Sequence, residues 1–169
     1  VETTGPEIWQ DSDGAVDVLV GAVGTGGSIS GTGRYLKAQK PGLQVVVAEP
    51  SPESVPSAEH PYAETIEGVH KVTEVDPKGL PANYDAGVVD ATVAVSLAEA
   101  RAAAQDLARE EGLLAGTSGG AVLAAALAVA RRPDSVGKTF VLVVADSGER
   151  YLSPPVVPAP REAALAAAQ

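Results

Sequence analysis

The eight residues GTGGSISG at positions 24–31 stand between an apolar run, VDVLVGAV at 16–23, and the segment TGRYLKAQK at 32–40. The run before the glycines is of strand length and too apolar for a half-exposed strand, so it suits the middle of a parallel sheet. The segment after them predicts a helix over 27–40, with Lys37 and Lys40 in its last turn and Pro41-Gly42 as a stop. Glycines at 31 and 33 inside that helix each cost about 1 kcal/mol relative to alanine, which implies that something packs closely against them. LQVVVAEP at 43–50 is a second buried-type strand. Strand, glycine loop, helix and strand together form a crossover unit of the kind that joins parallel strands.

A glycine loop that opens a helix has a specific use. Its inward-pointing backbone N–H groups and the positive end of the helix can hold a phosphate without a cationic side chain. Thr25 and Ser28 add hydroxyl donors, and the loop contains no Lys or Arg. The segment lacks a GK followed by Ser or Thr, and it matches a dinucleotide fingerprint poorly. Spacing alone leaves it open between a tight packing turn and a phosphate cup.

The rest of the chain continues the α/β alternation. Residues 51–87 are rich in Pro, Glu and Gly, and SPESVPSAEHP reads as an exposed loop. VVDATVAVS at 88–96 resumes strand character, and Ser96 with Glu99 forms a capping box for a helix that stops at Gly112. GTSGG at 116–120 leads into an alanine-rich helix, where Thr117 or Ser118 makes an ordinary N-cap and arginines follow the C-terminal end. KTFVLVVAD at 138–146 reads as a further buried strand. Asp146 and Ser147 then sit at a strand's carboxyl end, where open α/β sheets bind ligands; their plainer role is to cap the turn. The expected fold is a three-layer open sheet, mainly parallel, with helices on both faces. The domain spans 1–153, and a Pro/Ala-rich tail, 154–169, lies at its periphery.

Composition removes several function classes. Twelve Lys plus Arg against 22 Asp plus Glu give a net charge of -10, with no basic stripe for nucleic acid. There is no cysteine, hence no disulfide framework, thiolate metal site or cysteine nucleophile. The two histidines, His60 and His70, are too few for a metal site or a confident Ser/His/Asp triad. His70 and Lys71 read as surface residues and Trp9 as packing. No apolar stretch approaches the ~20 residues of a membrane span, so a cytoplasmic protein is the default expectation.

Three segments together, ETTGPEIWQDSDGAVDVLVGAVGTGGSISGTGRYLK, AREEGLLAGTSGGA and DSGERYLS, resemble the second half of the cysteine synthase (O-acetylserine sulfhydrylase) family. These are pyridoxal 5'-phosphate enzymes of fold type II, and cystathionine β-synthase shares much of the pattern. The resemblance runs from residue 2 to about 153 and is loose over 51–87. It implies that Gly24, Thr25, Gly26, Gly27 and Ser28 hold the cofactor phosphate, with Ser28 in place of a more usual threonine. It implies that Ser147 hydrogen-bonds the pyridine nitrogen through a neutral hydroxyl, which favours β-replacement over transamination or racemisation. Asp146 next to it could reach the ring if the turn were built differently. Gly68 corresponds to a glycine that helps close the site over substrate.

The resemblance also implies what this chain lacks. The family's Schiff-base lysine and its substrate-carboxylate loop belong to the first half of the enzyme, and none of the lysines at 37, 40, 71, 78 and 138 has that lysine's context. The chain, which contains no methionine, therefore reads as a fragment with no catalytic residue of its own, inactive in isolation. The complete enzyme is expected to be a homodimeric transferase of cysteine biosynthesis. Rival expectations are a cystathionine β-synthase-like activity, with homocysteine as nucleophile, and a non-catalytic half that binds the C-terminal tail of serine acetyltransferase.

Overall fold

A computed structural model describes residues 2–58 and 61–151. The predicted tail, 154–169, and His60 lie outside the described residues. Four strands, β1 (Val16–Ala22), β2 (Gln44–Pro50), β3 (Ala91–Val95) and β4 (Thr139–Leu142), form one sheet in the order β3-β2-β1-β4. All three pairings are parallel. Four α-helices, α1 (Thr4–Asp11), α2 (Gly27–Gln39), α3 (Leu97–Glu110) and α4 (Thr117–Ala130), cover the two faces.

The strand period of two divides the core between those faces. Val18, Val20, Val46 and Ala48 pack with Leu97 and Ala100 of α3 and Ala121, Val122 and Ala125 of α4. Leu19, Val45 and Val47 pack with Ile29 and Leu36 of α2, joined by Ile8 and Trp9 of α1. This is the expected three-layer sheet, with Trp9 in a packing role. A methyl group on Gly33 would lie 2.7 Å from Val88 and 3.0 Å from Val45, which accounts for a glycine inside α2. The Ser96–Glu99 capping box is present in full.

Several expectations change. The segment 138–146 is not a buried strand: the strand is Thr139–Leu142, followed by one further bond from the Val143 N–H to the Val20 carbonyl, and β4 is a half-exposed edge with β1 as its one neighbour among the described residues. The predicted strand over 88–96 shortens to Ala91–Val95, since 86–88 form a 3₁₀ turn. The loop after β2 is not wholly exposed, for Ser51 and Ser54 are buried and the Ser54 hydroxyl accepts from the Leu97 N–H at 2.9 Å. Helix α1 has no counterpart among the sequence-based expectations. Gly5 lets it lie on α2, where a methyl group would come within 2.8 Å of Tyr35.

Two carboxylates brace the rim of the sheet opposite the strands' carboxyl ends. Asp17 accepts from the Thr139 N–H at 2.8 Å and from Lys40 Nζ at 2.7 Å. Asp90 accepts from the Val45 N–H and from Lys37 Nζ, both at 2.7 Å. Each thus joins the N-terminal end of a strand to the end of α2. The Lys40 ammonium and the Thr139 N–H hold the Asp17 carboxyl below the ordinary carboxylate range.

Candidate cofactor site

A cavity of about 220 Å³ opens where β1 ends, at the carboxyl edge where open α/β sheets place their ligands. Gly21 and Ala22 of β1 form its floor; Gly24, Thr25, Gly26, Ser28 and Ile29 supply one wall. Gly68 and Val69 close a second side, and Ser118 and Val122 of α4 with Val143 and Ala145 complete it. Among the described residues the lining holds no charged side chain.

The glycine loop owes its shape to two close approaches. Gly26, the N-cap of α2, is left-handed at φ +85°, and a methyl group there would lie 2.5 Å from the Tyr84 nitrogen. One on Gly24 would lie 3.2 Å from the Gly68 carbonyl oxygen. Thus the loop is packed on one side by residue 84 and on another by residue 68. The segment carrying Gly68 is itself tied down. The His70 N–H donates to the Val23 carbonyl at 2.8 Å. Glu49, buried at the end of β2, accepts from the N–H groups of Val72 and Thr73, each at 2.9 Å, and from the Thr73 hydroxyl.

Two helix starts meet this cavity, and they differ in charge. Neither α2 nor α4 has a side-chain cap; their N-cap residues are Gly26 and Gly116. The expectation that Thr117 or Ser118 caps α4 is therefore corrected: both already lie inside the helix. Asp146 takes up the polar capacity there. Its carboxylate lies against the bare backbone of Gly116 and accepts from the Ser118 hydroxyl at 3.1 Å and from the Tyr151 phenol. A negative group at a helix N-terminus is favourable, so α4 carries its own anion. Helix α2 has no acid in its first turn, and its start is the uncompensated positive end at the cavity.

The structure gathers Gly24, Thr25, Gly26, Ser28 and Gly68 around one cavity. Gly27 belongs to a shallower depression on the outer side of the loop, beside Arg34 and Asn83. Ser147 is exposed and does not line the cavity, although Ala145, two residues before it, does. A bridge between Ala115 and Ser147, with the Gly148 N–H donating to the Leu114 carbonyl at 3.0 Å, fixes the turn against the start of α4. Asp146 has both carboxylate oxygens engaged by Ser118 and Tyr151. Burial and this carboxylate push the Tyr151 phenol up to about 12.

Sequence reasoning passed over Glu49, Tyr84 and Tyr151, and it treated Ser118 only as a possible cap. Glu49 had a signal, as a lone acid closing the apolar run QVVVAEP.

A cavity lined by a glycine loop and by Thr25, Ser28 and Ser118, at a helix start with no acid in its first turn, fits the phosphate end of pyridoxal phosphate. The chain belongs to the family described as pyridoxal-phosphate dependent enzymes, whose family model matches residues 1–146. Cysteine synthase A of Escherichia coli is 42% identical over 154 residues, which are 90% of this chain and 48% of that protein. A cysteine synthase structure from Entamoeba histolytica matches with a TM-score of 0.77 at 34% identity, covering 90% of this chain and 44% of its own. An O-ureido-L-serine synthase structure matches with a TM-score of 0.78 at 33% identity, covering 98% of this chain and 52% of its own. The chain thus spans about half the length of the relatives it matches, and its fold is that of the pyridoxal-phosphate enzymes among them.

Proposed function

We propose that the cavity holds the phosphate end of pyridoxal phosphate and that the complete protein is a cysteine synthase. It would replace the acetate of O-acetylserine by sulfide, breaking a Cβ–O bond and forming a Cβ–S bond. The observation that carries this reading is the uncharged glycine loop at the uncompensated start of α2. Its N–H groups, with the Thr25 and Ser28 hydroxyls, donate to the phosphate, and Gly27 gives the loop its outer turn. Val69, Val122 and Val143 exclude water from the body of the ligand. The cofactor, when bound, supplies an electron-accepting ring that labilises a leaving group at Cβ. Ser147, at the carboxyl end of the sheet, would offer the ring nitrogen a neutral hydroxyl. Gly68 borders the substrate, on a segment that Glu49 holds still.

On this reading residues 1–153 are the C-terminal half of the relatives' domain, and 154–169 are an appendage to it. The lysine that bonds the cofactor and moves a proton lies in the part of the relatives that this chain does not span. Two observations favour this. No lysine lines the cavity among the described residues. The apolar edge strand β4 and its surroundings leave Leu113 60% and Val144 45% exposed, surface that a complementary half would cover.

Sulfide-dependent cysteine formation from O-acetylserine tests the proposal, measured with the chain and cofactor alone and again after adding the lysine-bearing half of a relative. Turnover only in the mixture supports it. Robust turnover by the chain alone overturns the half-domain assignment, and absence of turnover in a mixture shown to form a complex overturns the activity.

A further inference from the structure

The glycine loop has an inner side, which faces the cavity, and an outer side, which has to be held in place. On the outer side the Tyr84 backbone occupies the space that a side chain on Gly26 would need. The Tyr84 N–H is used within its own segment, where it donates to the Pro81 carbonyl at 2.9 Å. The hydrogen bonds that tie this segment to the first two turns of α2 come from the next residue. Asp85 donates its N–H to the buried hydroxyl of Ser30 at 2.9 Å. One oxygen of its carboxylate accepts from Arg34 at 2.7 Å, and the other accepts from the Gly87 N–H at 3.0 Å. Ser30 and Arg34 are four residues apart and therefore share a face of α2. The helix whose start forms the cup thus also grips the segment that backs it.

We propose that Asp85 is a positioning residue for the cofactor phosphate: bonded to Ser30 and Arg34, it seats the Tyr84 backbone against Gly26 and so fixes the directions of the loop N–H groups. It touches neither the cofactor nor the cavity, whose lining does not include it. The Arg34 guanidinium and the Gly87 N–H hold the Asp85 carboxyl below the ordinary carboxylate range, so it is ionised at neutral pH. A negative charge behind an anion site disfavours the anion, whereas a rigid backing to the donors favours it. The two effects have opposite signs, and that makes the positioning role separable from an electrostatic one. The inference rests on reading the cavity as the cofactor site and adds the residues that give the cup its shape.

The test is titration calorimetry of the 169-residue chain with pyridoxal phosphate and, separately, with inorganic phosphate, for the unmodified chain, Asp85→Ala and Ser30→Ala. Urea unfolding of the same samples gives the folded fraction. Asp85→Ala weakens both ligands about fivefold, the effect of one well-aligned hydrogen bond, at unchanged stoichiometry. Ser30→Ala, which alters no charge, does the same. Because Asp85 is partly exposed, its variant stays folded and decides the matter even where the buried Ser30→Ala change unfolds the chain. Unchanged or tighter phosphate binding in Asp85→Ala overturns the positioning role and leaves the cofactor reading intact. A stoichiometry that falls with the folded fraction at unchanged affinity shows that Asp85 only supports the fold, which also overturns it. An unmodified chain that binds neither ligand overturns the cofactor reading itself, and this inference with it.

Discussion

Gly26 and Tyr84 meet backbone to backbone: a methyl group on Gly26 would lie 2.5 Å from the Tyr84 nitrogen and 2.6 Å from its Cα. Neither atom is the end of a flexible side chain, so the contact cannot be relieved by a rotamer change. Gly26 also holds φ +85°. Strain at the left-handed position and the clash add, and Gly26→Ala is expected to cost at least about 2 kcal/mol. Urea unfolding of the variant checks this, and its cofactor affinity should fall more steeply than its stability because the displaced loop is the phosphate wall.

Glu49 carries the opposite kind of constraint, since it holds a mobile class of structure still. Three donors from Val72 and Thr73 converge on its carboxylate. Glu49→Gln can keep its carbonyl oxygen on both N–H groups and donate its amide to the Thr73 hydroxyl, whereas Glu49→Leu removes both acceptor oxygens and leaves the N–H groups of Val72 and Thr73 without a partner. For Glu49→Leu a loss of about 2 kcal/mol is expected. Amide hydrogen exchange locates it: protection at Val72 and Thr73 should drop while β1 and β2 remain protected.

The glycine loop, β1, β2, α2 and the Ser96 capping box were legible in the sequence because each is written locally, as apolar runs bounded by glycine, proline or a cap. β4 was misread as buried because its apolar run resembles a central strand, and only the strand order makes it an edge. Helix α1 was missed because TGPEIWQD opens with glycine and proline, and Gly5 is explained only by Tyr35 lying against it. The braces at the site were invisible for a different reason: Asp146 with Ser118, and Glu49 with Thr73, pair across long stretches of chain. Residue type alone cannot say where such carboxylates point.

Acid should loosen the sheet rim. The Asp17 carboxyl is held below its ordinary value by Lys40 and Thr139. The Glu99 carboxyl is held below its ordinary value by the Ser96 backbone N–H and hydroxyl. For a depressed carboxyl the folded state binds its proton less readily than the unfolded state. The stabilisation is therefore present above the unfolded value and lost as pH falls through the folded one. Thermal unfolding between pH 6 and pH 3 should show a falling melting temperature, and Asp17→Asn should flatten part of that fall. The pair is partly exposed, so its share is no more than about 1 kcal/mol.

Tyr151 gives the alkaline counterpart. Its phenol is raised to about 12, so the folded state keeps a proton that the unfolded chain gives up near pH 10. That stabilisation is complete below the unfolded value and disappears as pH rises through the folded one. Burial and the Glu49 and Asp85 carboxylates also raise the Tyr84 phenol, so ultraviolet difference titration should show a late-titrating amplitude that Tyr151→Phe lowers by one phenolate. An undiminished late amplitude in the variant would show that Asp146 does not hold the phenol.

A phosphate cup at the start of α2 has a direct signature in amide nitrogen–proton correlation spectra of the chain, recorded as pyridoxal phosphate is added. Saturable shifts are expected on the amides of Thr25, Gly26, Gly27 and Ser28, reproduced for those residues by inorganic phosphate. Saturable shifts at the start of α4 with the 25–28 amides unmoved, or no saturable shifts at any amide, would contradict it.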